Sequence, residues 1–164
     1  MKHFYIILVI ALTLFACKKD RASAGKDVEI YLLKSFQLVA GKCQVDASTV
    51  VLQDQPLVTN SDILVYSQAD YEYTLSDVSY QRIKSLTPRT AFAFRVDKKV
   101  IFYCIYMPSF MSSTCGSSIT MDLKPPEKEI YLRLGYPWSM DSSIDDQRNN
   151  EVLLATFRNQ RKLR

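Results

Sequence analysis

The sequence predicts an α+β domain in which an antiparallel or mixed β-sheet is packed by two helices on one face. Hydrophobic residues make up 48% of the chain and glycines number only four, so a core can form. Two segments, 78–86 and 145–162, carry apolar residues at helical spacing. Runs rich in β-branched and aromatic residues predict strands at 28–38, 63–66, 71–75, 91–96, 100–107, 119–123 and 129–136.

The ends of the two helices are marked by capping and charged residues. Ser76 can cap the first helix, and Pro88 closes it. Asp145 and Asp146 begin the second helix and Arg158 lies near its end, which suits the helix dipole. By contrast, the segment 41–54 gives no clear prediction.

The first 16 residues predict a cleaved export signal. A short basic start is followed by thirteen residues without a charge, 4–16. This uncharged run is too short to cross a bilayer as a helix, because a crossing takes about 20 apolar residues. Leu14–Phe15–Ala16–Cys17 resembles a lipobox, in which a small residue precedes the cysteine that receives diacylglycerol. We therefore expect a signal peptide at 1–16, a lipidated Cys17 with a flexible tether at 17–27, and one globular domain at 28–164.

Two alternatives stay open for this segment: an ordinary secretory signal followed by an accidental cysteine, and an uncleaved anchor. Lys18 after the cysteine resembles a signal for forwarding to the outer membrane. The resemblance implies an outer-membrane lipoprotein on the periplasmic side or the cell surface. Its first partner would then be the lipid bilayer, through acylated Cys17.

From about Pro56 onward the chain resembles a family of small, largely uncharacterised Bacteroidota-type lipoproteins. The residues that match are Pro56, Leu57, Thr59, Asp62 and Ile63, then Tyr73–Leu75, the Phe92–Tyr103 hairpin, Ser112, Ser113, Cys115, Gly135–Pro137 and the 146–163 helix. The family usually has glycine after the turn aspartate of the hairpin, where this chain has Lys98. The resemblance implies a location at the envelope and supplies no chemistry.

Several kinds of catalytic and cofactor site are excluded by composition. The single histidine, His3, lies in the leader, so the mature chain offers no Ser-His or Cys-His pair and no histidine-bound zinc. The four glycines are far apart, so no glycine-rich phosphate loop exists. A net charge of +4 over 164 residues is too small to indicate nucleic acid binding. We predict no enzyme activity, no cofactor and no metal.

Three cysteines remain in the mature domain. In an oxidising compartment two of them should pair. If 108–111 is a four-residue turn, Cys104 and Cys115 lie directly opposite each other, and we favour that disulfide. The pair Cys43 and Cys115, or three buried thiols, are the alternatives.

Four residues are candidates for contact with a ligand: Tyr136, Trp138, Ser112 and Ser113. Aromatic faces stack on sugars or peptides, and serine hydroxyls can line a binding loop, although a core edge and an exposed turn are the commoner roles of such residues. Asp141, with Asp145 and Asp146, could meet calcium, although capping of the last helix is the commoner role.

Two functions from different classes fit these observations. The first is a non-catalytic binding or interaction module of the envelope whose partner is an envelope protein or a glycan. The alternative is a carboxylate-dependent glycan hydrolase or a glycan-binding surface protein, based on the aromatics and the acids at 141–146.

Overall fold

The computed structural model describes residues 26–137 and 144–164. The predicted signal peptide, Cys17, Trp138 and Asp141 lie outside these residues. Within them, no helix is long and apolar enough to cross a membrane.

The predicted α+β class is confirmed, with a mixed eight-stranded sheet and two α-helices. The helices are α1 (Asp77–Lys84) and α2 (Glu151–Asn159), and short 3-10 helices lie at Ala47–Thr49 and Asn60–Asp62. The strands are β1 (Val28–Ser35), β2 (Val51–Leu52), β3 (Ile63–Ser67), β4 (Glu72–Leu75), β5 (Ala91–Val96), β6 (Lys99–Tyr106), β7 (Ile119–Lys124) and β8 (Glu129–Leu134). Their order in the sheet is β2-β1-β5-β6-β7-β8-β4-β3, and β6 and β7 are its parallel pair.

The sheet curls strongly. β1 and β3 are six strand positions apart, roughly 29 Å along the sheet. Yet Val58, which bridges to Ile30 of β1, is followed five residues later by Ile63, the first residue of β3, and five residues span at most about 18 Å. Rings four strand positions apart also meet, since the ring centroids of Tyr73 and Phe94 are 5.4 Å apart. The sheet therefore has a concave face and a convex face.

Both helices pack on the concave face, as predicted. Tyr80 and Ile83 of α1, with Leu153 and Phe157 of α2, join one buried cluster with the inward residues of the strands. The Phe157 ring lies 5.3 Å from that of Tyr66, so α2 lies within the curl of the sheet.

The convex face is covered only in part. Its apolar cluster includes small side chains of β5, Ala91 and Ala93, and Ile105 of β6. Two irregular segments cover this cluster, the one before β2 and the connection 107–118 between β6 and β7.

A disulfide between Cys43 and Cys115 joins these two covering segments, with the Cα atoms 5.1 Å apart. The favoured Cys104–Cys115 pairing is wrong, and the alternative pairing with Cys43 is present. The turn at 108–111 does form, but β7 then pairs with β6 in parallel, so Cys115 lies in the connection before β7 and not on an antiparallel strand opposite Cys104. Cys104 is fully buried in the concave cluster, whereas Cys115 belongs to the convex one, so the sheet separates them.

The second helix is shorter than predicted. It begins at Glu151, capped by Asn150, whose Oδ1 accepts from the Val152 N–H at 2.9 Å. The expectation that Asp145 and Asp146 cap this helix is therefore wrong. Residues 144–150 lie outside the helix, and Arg148 among them forms a buried contact that is described below.

The hairpin between β5 and β6 has a two-residue turn. Asp97 and Lys98 have φ values of 49° and 67°, so both adopt the left-handed conformation that such turns require. The tight turn therefore forms with Lys98 at the position where the family that this chain resembles usually has glycine. A side chain in this conformation costs roughly 1–2 kcal/mol that glycine avoids.

Replacing Lys98 with glycine should therefore raise the free energy of unfolding by about 1 kcal/mol, measured by urea denaturation. The matched control is Lys99→Gly, which places glycine at the first residue of β6 and should lower the free energy of unfolding by about 0.5 kcal/mol. A K98G variant no more stable than the parent would contradict this account of the turn.

Candidate functional site

A groove opens where β7 is shorter than β6. Pairing between them starts at Cys104 and Ile119, so within the described residues Lys99–Tyr103 has no strand on that side. The groove here has a volume of about 200 Å³. Its lining comes from β6 (Ile101, Phe102, Tyr103), the start of β7 (Ser117, Ser118, Ile119), the segment after Cys43 (Gln44, Val45) and the segment before α2 (Ile144, Asp145, Gln147).

The polar groups in the groove are hydroxyls, amides and one described carboxylate. Burial raises the pKa of the Tyr103 hydroxyl above its usual range, so this hydroxyl stays neutral. Ser118 is only 5% exposed and contributes a second, non-ionising hydroxyl. Asp145 Oδ1 accepts from Gln147 Nε2 at 2.7 Å. Neutral donors and acceptors beside apolar walls suit a small, uncharged polar ligand, and the volume lies below the roughly 300 Å³ at which drug-sized pockets begin.

The wall formed by residues 144–147 is fixed by Arg148. Its Nε and Nη2 each donate to the Asp146 carboxylate at 2.8 Å, and its Nη1 donates to the Leu132 carbonyl at 3.1 Å. The guanidinium also lies 3.7 Å from the centroid of the Tyr71 ring. Arg148 is 8% exposed, so this contact ties the segment before α2 to the sheet.

Asp146 is therefore occupied. The two hydrogen bonds from Arg148 hold the pKa of its carboxyl below the usual range. Asp145 lines the groove, but no second carboxylate does among the described lining residues, and a paired-acid mechanism needs two. No group of three His, Cys, Asp or Glu that could hold a metal ion occurs in the parts of the chain that the structure describes.

The other predicted ligand residues lie elsewhere. Tyr136 is 5% exposed, and its hydroxyl donates to the Ser109 and Met111 carbonyls at 3.0 and 2.7 Å. Ser112 is exposed, Ser113 is half-buried, and both belong to the same 107–118 connection. None of the three lines the groove. The Tyr136 hydroxyl therefore holds the 107–118 connection in place, and the buried ring is not presented to a ligand.

A buried charge on the convex face escaped the sequence analysis. Asp122 is 3% exposed, and its Oδ2 accepts from Tyr131 Oη at 3.0 Å and from Arg133 Nη2 at 3.4 Å. Arg133 Nη2 also donates to the Met107 carbonyl at 3.0 Å, and the guanidinium lies 4.8 Å from the Tyr136 ring centroid. Burial, reinforced by the neighbouring carboxylate, raises the pKa of Tyr131. The cluster anchors the start of the 107–118 connection.

The sequence did carry a signal for this cluster. Asp122 is flanked in β7 by Met121 and Leu123, which face the concave core. Strand alternation then places the carboxylate on the convex face, where a buried acid needs a cation.

Comparison of the chain with protein-family models, with curated proteins and with solved structures finds no match. A functional proposal therefore rests on this chain's own residues, which are the amino-terminal pattern and the groove with the connections around it.

The pKa of the Asp146 carboxyl is lower in the folded state than in the unfolded state. Ionised Asp146 therefore stabilises the fold at pH values above its unfolded pKa, and this stabilisation is lost as the pH falls through the folded pKa. Asp146→Asn should therefore lower the free energy of unfolding at pH 7, and the difference from the parent should shrink as the pH falls through the folded pKa of Asp146. Urea denaturation across this pH range measures it.

Asp145→Asn is the matched control, because that exposed carboxylate contacts only Gln147 among the described residues. It should change the free energy of unfolding at pH 7 by less than about 0.5 kcal/mol. An Asp146→Asn effect no larger than the control's would show that the Arg148 contact does not fix the groove wall.

Proposed function

We propose that the chain is a lipid-anchored protein of the cell envelope whose domain is a non-catalytic binding module at the outer membrane. The observation that carries the proposal is the order of the first residues: a basic start, thirteen uncharged residues that end at Ala16, and then Cys17. The acylated cysteine would attach the chain to the bilayer.

The Cys43–Cys115 disulfide supports a location outside the cytoplasm, because such bonds persist in oxidising compartments and are rare elsewhere. This location accounts for all four cysteines of the chain. Cys104 is enclosed in the core, two cysteines are paired, and Cys17 remains for the lipid.

The groove supports a binding role. It combines neutral hydroxyls and amides with apolar side chains, and a small neutral ligand such as part of a glycan or a peptide would meet both. The alternative of a glycan hydrolase draws no support from the described acids, because Asp146 is held by Arg148 and Asp145 stands without a second carboxylate.

Counting thiols tests the anchor. Protein purified from the membranes of its producing cell, denatured without reductant, should present one thiol, Cys104, because Cys17 carries a thioether-linked lipid. Alkylation followed by mass spectrometry measures the count and the mass of residue 17. The Cys104→Ala variant should present none. Two thiols in the parent, or an unacylated residue 17, would contradict the anchor.

Blocking the groove tests the binding role. Ser117→Trp should weaken capture of envelope glycans or peptides by at least about tenfold, because the indole ring would occupy the space of the ligand. A tenfold loss corresponds to about 1.4 kcal/mol of binding free energy. The probes are an array of envelope-derived oligosaccharides and a matching set of peptides.

Ser112→Trp serves as the control, since Ser112 is exposed and lies outside the groove. If both variants capture the same ligands as the parent, the groove is not the binding site. If the parent captures nothing from either set of probes, the binding role itself is wrong.

A further inference from the structure

One end of the sheet, where the described chain begins, carries an excess of positive charge. β1 starts at Val28 opposite the end of β5, so the Asp97–Lys98 turn lies beside the first described residues. The Asp97 N–H donates to the Asp27 carbonyl at 3.0 Å, and Gln160 Nε2, just past α2, donates to the Lys26 carbonyl at 2.8 Å. The entry of the chain, the hairpin turn and the end of α2 therefore meet at one place.

Five exposed cations surround this place: Lys26, Lys98, Lys99, Arg158 and Arg161. The exposed carboxylates beside them are Asp27 and Asp97. We call the five cations the basic end. None of them forms an ion pair with another residue in 26–137 or 144–164, where the ion pairs involve other cations. Their charge is therefore available to a partner.

The hairpin turn that carries two of these cations is braced. The Lys98 carbonyl accepts from Arg95 Nε and Nη2 at 3.3 and 3.0 Å, and the Arg95 guanidinium lies 4.4 Å from the centroid of the Tyr31 ring. The turn backbone is thus held against the sheet, so Lys98 and Lys99 occupy a fixed position relative to the entry of the chain.

The position of the proposed anchor selects the partner. Nine residues of chain lead from Cys17 to Lys26, and they span at most about 32 Å. The basic end is the part of the described domain that this segment joins to the bilayer, and it would be held within about 32 Å of acylated Cys17. The linking residues add Lys18, Lys19 and Arg21 against Asp20, so they carry the same sign of charge.

We infer that the basic end docks on anionic lipid headgroups of the bilayer that holds Cys17. This inference rests on the proposed anchor and goes beyond it, because an anchor alone leaves the domain free to rotate. Each basic residue near an anionic membrane surface contributes about 1 kcal/mol, or roughly fivefold in occupancy. The five cations outnumber Asp27 and Asp97, so the net attraction favours one orientation. Docking of this kind turns the opposite end of the sheet away from the membrane.

Amine labelling of the intact lipidated protein tests the docking. The protein is reconstituted in vesicles of phosphatidylcholine alone and of phosphatidylcholine with an equal amount of phosphatidylglycerol, and acetylation of each lysine is followed by mass spectrometry. Lys98 and Lys99 should react about fivefold more slowly on the anionic vesicles. Lys34 and Lys84, which lie away from the basic end, should react equally on both. At 1 M salt, where the Debye length is about 3 Å, the protection should disappear.

Charge-removing variants complete the test. In Lys98→Gln with Lys99→Gln, Lys26 should be less protected on anionic vesicles than in the parent, because two of the five cations are lost. In the matched control, Lys34→Gln with Lys84→Gln, Lys26 should stay protected. Equal labelling of Lys98 and Lys99 on both kinds of vesicle would overturn the docking. The same digest reports the acyl group on residue 17, and its absence would overturn the anchor separately.

Discussion

The structure depends on the curling of one sheet around a cluster of aromatic rings. Tyr66, Tyr73 and Phe94 belong to three different strands, and each has a ring centroid within 5.5 Å of another member of this group. The Tyr73–Phe94 contact joins strands four positions apart and is possible only if the sheet bends. α2 fits inside the bend through Phe157. The concave face is thereby filled by large side chains, and both helices are used on it.

The convex face follows from that constraint. With no α-helix left among the described elements to cover it, β5 presents small side chains there, and two segments outside the strands form the cover. Segments of this kind lose much conformational entropy on ordering. The Cys43–Cys115 bond closes a loop of 72 residues, which is worth about 4 kcal/mol in the chain-entropy account. The groove lies at the margin of this cover, so the disulfide also fixes the Gln44 side of it.

Features determined by nearby residues could be predicted from the sequence. The β5–β6 hairpin and the Ser76 cap of α1 were predicted at close to their observed bounds, because turn and cap chemistry act over a few residues. The Cys104–Cys115 pairing failed because the direction of β7 decides which face Cys115 reaches. The second helix was predicted too long because its acids were interpreted as a cap, whereas Asp146 serves Arg148. The groove reflects a difference in length between two paired strands, which no local pattern encodes.

Neither border strand of the sheet presents a long open edge. β2 is two residues long, and the free side of β3 is covered by residues 162–164, where the Tyr66 N–H donates to the Lys162 carbonyl at 2.8 Å and the Arg164 N–H donates to the Tyr66 carbonyl at 2.8 Å. An open border would offer a template for strand addition by a neighbouring copy. Membrane attachment, as proposed for this chain, crowds copies into two dimensions and multiplies such encounters. A sheet with one very short border strand and one covered border strand can therefore be displayed densely with little edge available for polymerisation.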